Sequence, residues 1–137
     1  MKTYPFEPIR KMAECLATGH TSSFNWLVEN GYKELVVLAS LLRGKKEEVR
    51  WLMENKYVEL AAFGNSVLGD KAAFEWLMKN KIVIWALTSH ASTGDEKATA
   101  ILRAQKLDAY LILAQTIQKM NDDGQMGDLE AAHKFQG

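Results

Sequence analysis

The sequence predicts an all-α protein, an α-solenoid of about ten short helices stacked as hairpins along a 25-residue period. Three observations predict it. Trp26, Trp51 and Trp76 lie 25 residues apart, and Gly19, Gly44, Gly69 and Gly94 keep the same spacing. Asn30, Asn55 and Asn80 do so too, with Gln105 in the fourth place. Three residue types that share one period and keep a fixed phase mark an internal repeat. A strand reading fails, because apolar and polar residues do not alternate and β-branched runs are short.

The elements follow in order. Residues 1–18 make an N-terminal half-unit, with Pro5 and Pro8 near the start of its helix, where the missing N–H of proline costs nothing. Four full units follow at 19–43, 44–68, 69–93 and 94–118, then an insertion at 119–126. A final half-unit at 127–137 contains GDLEAAHKF, which matches the GDKAAFEWL that opens the third unit. The whole chain is one repeat domain with atypical ends that act as caps.

Within a unit the first half reads as a helix. Gly69 can end the preceding helix at positive φ, and Asp70 can cap the next by accepting a backbone N–H. Asp95 and Asp128 stand in the same place. Thr21 or Ser22 takes that role in the first unit, while Lys45 leaves the second with a weak cap. Ala73, Phe74, Trp76 and Leu77 share one face, opposite Lys71, Glu75 and Lys79. Asn80 suits the left-handed conformation that ends a helix, as Gly31 does in the first unit.

The second half restarts as a helix in which Tyr57, Leu60, Ala61, Gly64 and Val67 keep helical spacing. Ala39, Gly64, Ser89 and Ala114 form a column of small residues, which predicts close approach of neighbouring helices. Val58, Ala62, Val83 and Leu87 make this helix apolar on more than one side. It is therefore either sandwiched in the stack or leaves a strip for a partner or a second copy. Helices of ~10 residues and ~15 Å are unstable alone, so stability must come from hairpin packed on hairpin.

Composition narrows the function classes. Lys plus Arg and Asp plus Glu are 17 each, so the formal charge is zero and the broad basic field of most nucleic-acid binders is missing. No apolar run approaches the ~18 residues of a membrane helix, and MKTYPFEPIRKMAECL has no secretory h-region. A single cysteine, Cys15, excludes an internal disulfide and a four-cysteine metal site. A cytoplasmic protein is expected.

The segment KKEEVRWLMENKYVELAAF resembles the helical pair of an ankyrin repeat. The TPLH opening is missing, and the 25-residue period has no room for the β-hairpin of a ~33-residue unit. The pattern GD-x-x-A-x-x-W-L-x-x-N-x-x-x-E-L-A-A-F is more similar to bacterial proteins with short tandem helical repeats. That resemblance covers residues 19–118 and implies an α-solenoid that serves as a binding surface, with no catalytic residue of its own.

The candidate chemistry is thin. The tryptophan column is expected to pack as core between repeats rather than form a ligand box. Trp85 lies outside that column, where other units place Leu35, Leu60 and Tyr110; it is read as core or as a binding anchor. Ser40, Asn65, His90 and Gln115 form a polar column on an otherwise apolar helix, either a solvated stripe or the lining of a groove. His20, His90 and His133 share no metal-ligand spacing. Cys15 and His20 are badly placed for a nucleophile and its base. Asn121, Asp123, Gly124 and Glu130 fit the third, fifth, sixth and twelfth places of a calcium loop, but Lys119 puts a cation in the first.

The expected function is a non-enzymatic interaction module for a protein or peptide, with a homodimer as one form. Its candidate surface is Ser40, Asn65, Trp85, His90 and Gln115. No cofactor, metal, nucleic acid or membrane is expected. The alternative is a ligand-binding protein or enzyme with a groove site near His90 and Trp85.

Overall fold

A computed structural model describes residues 3–19 and 21–127. Among them are nine helices and no strand, so the protein is all-α. The helices are α1 (Phe6–Thr18), α2 (Thr21–Glu29), α3 (Lys33–Leu42), α4 (Glu48–Glu54), α5 (Val58–Val67), α6 (Lys71–Lys79), α7 (Val83–Ser92), α8 (Glu96–Ala104) and α9 (Asp108–Asp122). A tenth helix and the Asp128 cap, expected in 127–137, fall outside the described residues from 128 onward. No described helix is long and apolar enough to cross a membrane.

Local chemistry explains where helices begin. Asp70 accepts from the backbone N–H groups of Ala72 and Ala73 at 3.1 and 3.4 Å, and Asp95 from that of Ala98 at 3.0 Å. These bonds satisfy donors that a helix start otherwise leaves open. With Lys45 in place of the aspartate, α4 has no side-chain cap and begins only at Glu48, past Lys46, which would match Lys71 and Glu96. Thr21 and Ser22 both fall inside α2 rather than before it.

Helix ends differ from the expectation in one respect. Asn80 is not left-handed; its φ is −93°. Asn30, Asn55 and Asn80 instead donate from Nδ2 to the carbonyls of Trp26, Trp51 and Trp76 at 2.8, 2.8 and 2.9 Å. That bond holds the asparagine backbone near helical geometry, so the turn is made one residue later. Gly31, Lys56, Lys81 and Lys106 have φ of 84°, 67°, 58° and 57°. A left-handed conformation costs a side-chain-bearing residue roughly 1–2 kcal/mol, and glycine escapes that cost. Lys81→Gly is therefore expected to raise stability by about 0.5–1 kcal/mol after the unfolded chain's gain in entropy, read from the urea midpoint.

The α9 helix continues through Lys119–Asp122, so half of the expected insertion is its last turn. Asn121 is thus helical, and the calcium-loop match has no loop at its start.

The odd-numbered helices pack each against the next: α1 on α3, α3 on α5, α5 on α7, α7 on α9. The last then packs on the first, α9 against α1. The described helices form a closed ring of five, not an open row with free ends. Each even-numbered helix sits outside, against the two odd helices it joins. Sandwiching in the ring is why the odd helices are apolar on several sides. The column of small residues, Ala39, Gly64, Ser89 and Ala114, is buried throughout. A Cβ added to Gly64 would meet Leu41 Cδ2 at 2.6 Å, so α3 and α5 depend on that glycine for their approach.

Leu35, Leu60, Trp85 and Tyr110, each the third residue of its helix, are buried together. The Trp85 ring centroid lies 4.5 Å from Phe63, 5.3 Å from Tyr110 and 6.4 Å from Tyr4. Tyr4 precedes α1 and also lies 6.0 Å from Tyr32, just before α3. The N-terminal ends of the odd helices therefore gather at one mouth of the ring, with Tyr4 set into it.

Candidate functional site

The tryptophan column is not core. Trp26, Trp51 and Trp76 are half-buried on the outer helices, while the next residues, Leu27, Leu52 and Leu77, point inward and are fully buried. Trp26 stacks on Tyr32 with centroids 6.2 Å apart and planes within 1°, and Trp51 on Tyr57 at 6.1 Å and 5°. Lys11 Nζ lies 6.0 Å from the Trp26 ring and Lys33 Nζ 5.4 Å from Trp51, close enough for cation–π attraction. The aromatic that fills the core is Trp85, 1% exposed.

The five candidate surface residues do not share one surface. Trp85 is at the ring centre, and Asn65 on α5 is buried. Gln115 is exposed on α9. Ser40 lines a small cavity of about 160 Å³ with Cys15, Phe24 and Arg43. Burial pushes the Cys15 thiol up, which keeps it protonated and inert. His20, the base once considered for it, is outside the described residues. The Arg43 guanidinium donates to the Leu16 carbonyl and ties α3 to α1.

His90 lines a wide, open cleft of about 540 Å³ between α5, α6 and α7. Its imidazole stacks on Phe74 at 4.2 Å with planes within 8°, and Nδ1 faces Asp95 Oδ2 at 3.9 Å. The Asp95 carboxyl is held below its usual range, first by the Ala98 N–H and also by His90. In the same cavity the Ser66 and Ser89 hydroxyls share a hydrogen bond of 2.6 Å. Lys71 and Glu75 stand at its rim. The cleft thus offers an aromatic wall, hydroxyls and both signs of charge, a set that suits hydrogen-bonded polar chain segments or small polar molecules.

No protein-family model matches the chain, and no curated protein or solved structure is similar to it.

One cluster was missed in the sequence. Tyr4 donates its hydroxyl to Glu34 Oε2 at 2.9 Å, and its backbone N–H donates to the Tyr110 hydroxyl at 3.1 Å. Glu34 is a carboxyl group only 2% exposed. In sequence it matches Glu59 and so reads as part of a solvated face; Tyr4 stands before the repeats, where no column could flag it. Beside this cluster lies a cavity of about 350 Å³ lined by Tyr4, Lys56, Tyr57, Glu59, Leu60 and Trp76 among others. Among the described residues no three of His, Cys, Asp and Glu are placed to hold a metal ion.

Proposed function

We propose that the protein is a non-enzymatic, cytoplasmic interaction module, an array of 25-residue helical hairpins that binds a protein or peptide along its outer helices. The single observation that supports this reading is an apolar column at matched places on α2, α4 and α6: Val28, Met53 and Met78. Val28 is 45% exposed and Met78 55%, with Met53 half-buried between them. Phe24, one turn before Val28, is also exposed. Exposed apolar residues that recur along one row mark a docking face better than scattered ones do, and methionine adapts to varied partners. The half-buried Trp26 and Trp51, on the same outer helices, supply aromatic area of the kind enriched at interfaces.

The test uses the full chain carrying Val28→Glu and Met78→Glu together. Helical circular dichroism is expected to stay unchanged, while crosslinked partners, or self-association seen by light scattering at high concentration, are lost. Wild-type chain that neither self-associates nor captures any protein overturns the reading. The ligand-site alternative keeps only its His90 half, since Trp85 is buried. Ligand-dependent thermal stabilisation that His90→Ala abolishes would favour it.

A further inference from the structure

We propose that the cavity beside Tyr4, at the start of α5, binds a free aromatic α-amino acid, with its ring against Tyr57 and Trp76, its carboxylate on Lys56 and its ammonium on Glu59. The inference stands apart from the partner reading, because Val28, Met53 and Met78 do not line this cavity. Comparison of the four corners of the repeat singles out these residues. The places of Lys56, Tyr57, Glu59 and Trp76 hold Gly31, Tyr32, Glu34 and Trp51 one unit earlier. That corner lacks the lysine, and its Glu34 carboxyl is buried and receives the Tyr4 hydroxyl. One unit later the same places hold Lys81, Ile82, Ile84 and Ile101, which keep the cation and lose the acid and both rings. The last corner has Lys106, Leu107, Ala109 and Met126. The second corner alone joins a cation, an anion and two rings, and it is where the cavity of about 350 Å³ lies.

The groups in the cavity match that ligand one by one. Among the described residues Lys56 and Glu59 form no ion pair, although both line the cavity, so each has its charge to offer. A ligand that carries a carboxylate and an ammonium on one carbon needs both signs side by side, and gains charge-assisted hydrogen bonds from each. Tyr57 and Trp76 come from successive units, so a ring seated between them meets aromatic surface from both, in the offset or edge-to-face contacts that rings prefer. The Tyr4 hydroxyl is directed to Glu34, so this side chain adds wall rather than a further donor. Aromatic walls also thin the water around the two charges, which strengthens their hold on opposite ones. A volume of about 350 Å³ is at the small end of the ~300–1,000 Å³ of ligand pockets, room for one ring with a charged end and not for a dinucleotide.

The test is calorimetric titration of the full chain with L-phenylalanine, L-tyrosine and L-tryptophan, with the indole N–H signal of Trp76 followed by NMR. At least one of the three is expected to bind and to shift that signal. N-acetylation or amidation of the ligand removes one charge, and each is expected to weaken binding about tenfold or more; L-alanine, without a ring, is expected not to bind. Lys56→Gly and Lys81→Gly form a matched pair, because both lysines have left-handed backbones that glycine adopts freely, at φ 67° and 58°. Both variants are expected to stay folded, Lys56→Gly with binding weakened about tenfold or more and Lys81→Gly with binding unchanged. Failure of all three amino acids to bind overturns the proposal, as does equal binding by the two variants. Blocked derivatives that bind as well as their parents assign the cavity to a peptide's aromatic residue and overturn it too.

Discussion

Trp85→Ala is expected to cost about 3–5 kcal/mol, a large part of the ~5–15 kcal/mol that holds a domain of this size together. Trp51→Ala is expected to cost only about 1–2 kcal/mol. The two residues are chemically identical, so the contrast isolates position. Trp85 is enclosed by Phe63, Tyr110 and Tyr4 from three other parts of the ring. Its removal leaves a void that α5, α7 and α9 cannot collapse into without losing their mutual packing. Trp51 faces outward, stacked on Tyr57 with Lys33 over its ring, so its loss exposes surface without opening a cavity. Urea unfolding of both variants measures the difference. Equal costs would mean that the centre of the ring is not where Trp85 lies.

Local chemistry was legible because it depends on neighbours in sequence. The aspartate caps at Asp70 and Asp95 and the weak start of α4 followed from single residues. The left-handed turn was displaced by one position because the Asn80 side chain, not its backbone, closes the helix. The burial of the tryptophans was misjudged for a different reason: helical spacing says that Trp51 and Leu52 are neighbours on a face, but not which of them points at the ring. Closure itself was not legible. It depends on the rotation from each hairpin to the next, set by how closely residues such as Gly64 let α3 and α5 approach, and a repeat pattern carries no record of that angle. The same gap hid the site at the mouth. Tyr4 and Tyr110 are 106 positions apart and meet only because the ring closes.

Alkaline pH is expected to unfold the protein through Tyr4 and Tyr110. Burial, and then the hydrogen bond to Glu34, raises the Tyr4 pKa above its ordinary range; burial also raises that of Tyr110, opposed by the Tyr4 N–H. In the unfolded chain both phenols ionise near pH ~10, whereas the folded chain keeps their protons. Above that pH the folded state binds more protons than the unfolded, so stability falls as pH rises and is fully present below it. Each tyrosine contributes a slope of about 1.4 kcal/mol per pH unit over the window between its unfolded and folded pKa. Tyr4→Phe removes one of these slopes, and it also costs about 1–3 kcal/mol at neutral pH because buried Glu34 loses a donor. Urea unfolding at several values between pH 8 and pH 11 measures both effects. Wild type and variant differ only at this side chain, so the difference between their curves isolates the phenol. Parallel curves would remove Tyr4 from the mouth of the ring, and with it the contact that joins the start of the chain to the helix that closes it.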